Sequence, residues 1–144
     1  MRSKLLQHDT SHRTYVVVFD PGDEVVPLLT DFAREHHLHS TRVMGIGGFS
    51  RVILGYFDMN ARAYKQIPVE EQVEVVSLMG NIALYENEPR VHAHALIGRS
   101  DGSAMGGHLL EATVQPTLEL MLIETATPLQ REKDAATGMP LLVP

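Results

Sequence analysis

"VHAHALIGRSDGSAMGGH", residues Val91–His108, is the stretch on which the fold turns. Val91 to Ile97 is a short apolar run of strand character, and Ser100, Asp101 and Gly102 have the chemistry of a tight turn. The segment predicts a hairpin. In a strand, residues i and i+2 point to the same face about 6.5 to 7 Å apart, so His92 and His94 share a face. With the turn centred on Asp101, His108 falls directly opposite His94, at the spacing of roughly 4.5 to 5.5 Å between Cβ atoms that opposed residues show. Three imidazoles then line one patch, which is the donor set of an open zinc site with water in the fourth position. Two other readings stay open. His-x-His on a strand is also an ordinary pair of half-exposed polar residues, and a one-residue slip at Gly106–Gly107 would turn His108 to the other face.

Outward from the hairpin, the chain predicts many short strands and one clear helix. Thr14 to Phe19 (TYVVVF) reads as a buried strand closed by Asp20-Pro21-Gly22-Asp23. Val25, Leu28, Leu29, Phe32, Ala33 and His36 then recur at helical spacing. Proline fits only in a first helical turn, so Pro27 places the start near Asp23 or Glu24, with acidic residues at the positive end of the dipole. Strand-like runs follow near Thr41 to Ile46, Arg51 to Asp58, Ala63 to Val69, Val73 to Met79 and Ile82 to Tyr85, and beyond the hairpin's first strand near His108 to Val114 and Leu118 to Glu124. The expectation is one α+β domain over residues 1–144, an antiparallel-rich sheet packed with one main N-terminal helix and short helices. The final Leu141-Leu142-Val143-Pro144 suggests a last segment docked on its own domain or on a neighbouring subunit.

With 144 residues, 44% hydrophobic and 21% charged, the chain is long enough for one real core. No apolar run approaches the roughly 18 residues that cross a bilayer, and no signal-peptide pattern opens the chain, so the expected location is the cytoplasm, away from membranes. There is no cysteine, so any metal must be held by nitrogen and oxygen. The net charge of -6, with 12 scattered Lys and Arg, argues against unaided grip on duplex DNA.

GIGGFS, Gly45 to Ser50, lacks the Gly-Lys-Ser/Thr ending of a phosphate loop and reads as a strand-to-strand turn with close packing. Gly47 and Gly48 still leave room for a ligand and are candidates for a pocket wall. Glu74 shares a strand face with Val76 and Leu78, where a carboxylate is costly unless it is paired or functional. It is either a wet residue on an edge strand or a candidate catalytic acid or base. His8, His12, His36, His37 and His39 read as surface residues, and no Ser/His/Asp triad can be argued.

Three segments taken together, GIGGFSRVILGYFD, EVVSLMGNI and VHAHALIGRSDGSAMGGHL, resemble in order and spacing the plants-and-prokaryotes-conserved (PPC) domain, known in plants as the companion of AT-hook motifs. The likeness runs from about residue 13 to residue 131. It implies an α+β fold that assembles as a homotrimer with pockets at subunit boundaries. It also implies a divalent metal, usually zinc, at His92, His94 and His108, with Glu74 as a residue supporting that site. The broader fold is shared with acetolactate decarboxylase, a three-histidine zinc lyase, which supplies an enzyme reading by analogy. Family members are often labelled DNA-binding, but this chain has no AT-hook. It also carries Glu71-Gln72-Val73-Glu74-Val75-Val76 where plant members have Gly-Arg-Phe-Glu-Ile-Leu.

Three functions follow as expectations. The first is a trimeric metal-binding module that takes a small molecule or anion near the metal. The second is a zinc-dependent lyase using Glu74 for proton transfer. The third is a DNA-associated regulator acting through protein partners.

Overall fold

The computed structural model describes residues 1–143. Strand β1 (Arg2–His8) is followed by β2 (His12–Phe19), helix α1 (Val25–Glu35), β3 (Ser40–Asp58), β4 (Ala63–Val69), β5 (Val73–Tyr85), β6 (Glu88–Gly98), β7 (Ala104–Thr125), β8 (Gln130–Lys133) and β9 (Pro140–Val143). Strand β2 buries Tyr15, Val17 and Phe19 on one side, as its β-branched alternation requires. Helix α1 begins after Glu24, with Pro27 in its first turn, and turns Val25, Leu29, Phe32 and Ala33 into the core. Each large apolar side chain so buried contributes on the order of 1.5 to 3 kcal/mol.

The nine strands form one sheet, and four of them close on one another. Strand β3 pairs with β5 and with β7, while β6 pairs with β5 on one edge and β7 on the other, so β6 completes the ring. These ladders are antiparallel, but β8 joins β5 in parallel at Leu84 and Gln130, so the sheet is mixed. Among the described residues α1 is the single helix, and the expected additional short helices are not there.

Several expected boundaries dissolve. GIGGFS is no turn between strands: it lies inside β3, and the ladder to β5 shifts between Gly45 and Gly47 to carry it through. Strand β5 likewise runs through Gly80, because a Cβ at that position would collide with the β6 backbone, 2.8 Å from Ala93 Cα. Strand β7 runs through Pro116, where its pairing with β3 also shifts. The N-terminal segment forms β1 along β2, with charged Arg2 and Lys4 on the exposed outer strand. At the other end, Leu141, Leu142 and Val143 pair through β9 with β8 of the same chain.

One carboxylate inside this framework is structural. Glu124 is 5% exposed and accepts hydrogen bonds from His39 N (2.8 Å), Ser40 N (3.1 Å) and Thr41 Oγ1, binding the end of β7 to the start of β3.

Candidate metal centre

Strand β6 alternates buried Ala93, Ala95 and Ile97 with outward Arg90, His92, His94 and Leu96. Its outward row is set by the hairpin into β7. Arg99 N–H donates to Ser103 O at 2.8 Å, Gly102 N–H donates to Arg99 O at 2.9 Å, and Asp101 accepts from Ser103 N at 2.9 Å. Gly102 sits at φ 81, a left-handed conformation that glycine adopts without strain. With the turn so held, His94 pairs with His108 and Ala95 with Gly107, and no slip intervenes. Gly107 lets β3 come close, since a Cβ there would lie 2.9 Å from Gly55 O.

The three rings meet. His92 and His94 have centroids 5.3 Å apart, His92 and His108 5.1 Å, and His94 and His108 5.3 Å. His92 Nε2 and His94 Nε2 are 3.3 Å apart, and one nitrogen from each of the three rings lies within 4.8 Å of the others. Two neighbours were not foreseen. Tyr64 of β4 stacks on His108 at 4.7 Å, and Arg131 of β8 donates to Asn81 Oδ1 and contacts His92 Nδ1 at 3.3 Å. Alternation marked Tyr64 only as one strand residue among many, and Arg131 lay in a polar tail with no pattern around it.

The electrostatics favour the neutral form of two of these rings, His92 and His108. Burial, then the neighbouring His92, His94, Arg90 and Arg131, push His108 from its ordinary value near 6.5 down to about 4. His92 is lowered by burial first, then by Arg131 and His94. Burial raises the Tyr64 phenol, and Arg90 partly opposes this.

The other expected site residues form a separate group. Glu74 is exposed and pairs directly with Gly48 on one side and Gly98 on the other. It stands five residues along β5 from Met79, the partner of His94, or roughly 16 Å at strand rise. Within one chain the structure does not bring it to the histidines. Gly47 and Gly48 pack against β7 backbone, where a Cβ on Gly47 would meet Leu118 Cα at 2.7 Å. Of the remaining histidines, His8, His12 and His37 are exposed, while His39 is half-buried and His36 packs its ring 4.2 Å from that of Phe32.

The family model for the Plants and Prokaryotes Conserved (PCC) domain matches residues 6–126. The chain belongs to that family. Among solved structures, this PCC domain is similar to a plant- and prokaryote-conserved protein of Pyrococcus horikoshii, with 31% identity, TM-score 0.88 and 94% of both chains covered. It is also similar to a protein of Bacteroides thetaiotaomicron named as a candidate DNA-binding protein, with 27% identity, TM-score 0.89 and 98% and 96% of the two chains covered. A third likeness is to a metal-containing protein of Archaeoglobus fulgidus, with 26% identity, TM-score 0.84 and 99% and 97% covered. No curated protein sequence matches.

The donor set of this PCC domain fits a divalent cation. Tetrahedral zinc with bonds of ~2.0 to 2.1 Å holds its ligands about 3.3 to 3.4 Å apart, and His92 Nε2 and His94 Nε2 have that spacing. His108 Nδ1 is buried and has no hydrogen-bond partner in the chain. Neutral imidazoles are the form that binds metal, and burial favours that form at His92 and His108.

Proposed function

We propose that this PCC domain is a metal-binding module that assembles as a homotrimer and receives a small molecule or anion at a zinc or similar divalent ion. The observation that carries this reading is the convergence of His92, His94 and His108 with donor nitrogens within 4.8 Å. When bound, such a metal supplies a Lewis-acid centre with a position open to an exogenous ligand. His92, His94 and His108 supply the donors, and the Tyr64 ring stacked on His108 limits the rotation of that imidazole.

The trimer part of the proposal rests on the exposed sheet face. Ile46 is 60% exposed, Val76 54% and Met79 53%. They border a shallow apolar depression of about 400 Å³ that Val16, Met44 and Met121 also line. Apolar patches of this kind mark interaction surfaces. Met79 pairs with His94, so a second copy covering this face would border the histidines. Glu74 lies on the same strand, and its proposed acid or base role requires that a neighbouring copy present it; Gly47 and Gly48 would line the same boundary.

A regulatory reading is favoured by one observation, the DNA-binding name carried by a similar protein. The net charge of -6 directs that reading toward protein partners rather than bare duplex. The test of the main proposal is native mass spectrometry with metal analysis of the purified protein. A trimer mass with one divalent ion per chain is expected, and a metal-free monomer contradicts it.

A further inference from the structure

We propose that Arg90 and Arg131 make the three-histidine site a receptor for a small oxyanion, a carboxylate or a phosphate group. The proposal deepens the metal reading and rests on it for the anion's second contact. Arg131 is 6% exposed, yet its partners are all neutral: Pro140 O at 2.9 Å, Asn81 Oδ1, and His92 Nδ1 at 3.3 Å. Its Nε is buried and meets no acceptor. Among the described residues no carboxylate forms an ion pair with it. Burying a guanidinium without a counter-charge is costly, so the fold holds a positive charge that an anion would offset.

Arg90 extends the same field outward. It stands two residues before His92 on the outward row of β6, is exposed, and has no ion-pair partner among the described residues. One strand repeat, roughly 6.5 to 7 Å, separates it from His92. Glu88, the next residue of that row, is engaged by Arg34 at 3.1 Å. The patch therefore gathers two guanidinium groups and three imidazoles, in a chain whose net charge is -6. A divalent ion on the histidines adds further positive charge. An oxyanion answers both demands: one oxygen would fill the open metal position and another accept from the exposed Arg90, while Arg131, buried on the Nδ1 side of His92, acts on it through charge alone. Arg131 arrives on β8, beyond residues 6–126 of the family match, so half of this receptor belongs to the tail.

The experiment is calorimetric titration of inorganic phosphate, with acetate in parallel, into zinc-loaded and metal-stripped protein. It is run on the wild type, Arg90→Gln and Arg131→Gln. Arg90 is exposed, so its variant keeps the test valid if Arg131→Gln fails to fold. Zinc-loaded wild type is expected to bind, with the tighter of the two probes naming the ligand's class. Arg90→Gln should weaken binding by roughly tenfold, the loss of about 1.4 kcal/mol, while zinc content stays unchanged. Arginine-dependent phosphate binding in protein that takes up no zinc would uphold the receptor and remove the metal. Zinc-loaded protein that binds neither probe, as when a carboxylate of a second copy fills the site, overturns the proposal. Equal affinity in wild type and Arg90→Gln overturns it as well.

Discussion

His94 and His108 face each other across the β6–β7 hairpin, paired in register with their rings 5.3 Å apart. The pairing converts a local sequence feature, the turn at Asp101-Gly102, into a three-dimensional donor set, because the turn decides which residue of β7 stands opposite His94. His92 joins through the period of two along β6, and no other element is needed to bring the three rings together.

The half-buried imidazoles of His92 and His108 make stability depend on pH. His108 has a folded pKa of about 4 against ~6.5 when unfolded. Between those values the unfolded chain binds the extra proton, so stability rises with pH across the window and is lost on acidification. His92, also lowered, acts with the same sign. Metal-free wild type should lose more melting temperature between pH 6.5 and pH 4 than His108→Asn does. Equal slopes in a thermal-denaturation series would count against the neutral, half-buried ring.

Glu124 is expected to be a stability residue. Glu124→Ala leaves His39 N–H, Ser40 N–H and the Thr41 hydroxyl without their acceptor in a buried place. The cost should be about 2 to 4 kcal/mol by urea denaturation, with Glu124→Gln milder because one oxygen remains. A loss below the error of the measurement would show the cluster to be wet.

The exposed apolar face should govern assembly. Placing a carboxylate there by Met79→Glu is expected to shift sedimentation from trimer toward monomer at micromolar protein, without lowering the melting temperature of the chain itself. An unchanged trimer would move the interface elsewhere.

Duplex DNA should bind weakly and without sequence preference, since the chain carries -6 net charge and its 12 Lys and Arg form no run. A gel-shift at physiological salt with nanomolar, sequence-selective affinity would refute this.

What was legible in the sequence was local. The strand period gave His92 and His94 a common face, the turn chemistry gave His108 its partner, and Pro27 fixed the start of α1. What was not legible depended on contacts distant in the chain. Gly47 and Gly80 look like breaks, yet each sits inside a strand because another backbone passes where a Cβ would be. Closure of the ring through β6 needs pairings on both its edges, which no window of sequence contains. Arg131 and Tyr64 reach the histidines from β8 and β4, so their place became visible only when the sheet was assembled. Glu74 was expected to share a face with Val76 and Leu78, but the ladder shift between Val75 and Ser77 turns Leu78 into the core and leaves Glu74 exposed beside Gly48 and Gly98, away from the imidazoles.

The most direct measurement is zinc content after dialysis against a mild chelator, compared between wild type and His94→Ala. His94 is exposed and outside the core, so the variant should fold while retaining only two of the three donors. Wild type is predicted to keep one zinc per chain and His94→Ala to lose most of it. Stoichiometric zinc in His94→Ala, or a wild type that never holds a divalent metal, would contradict the account and leave the three histidines as ordinary residues of a hairpin.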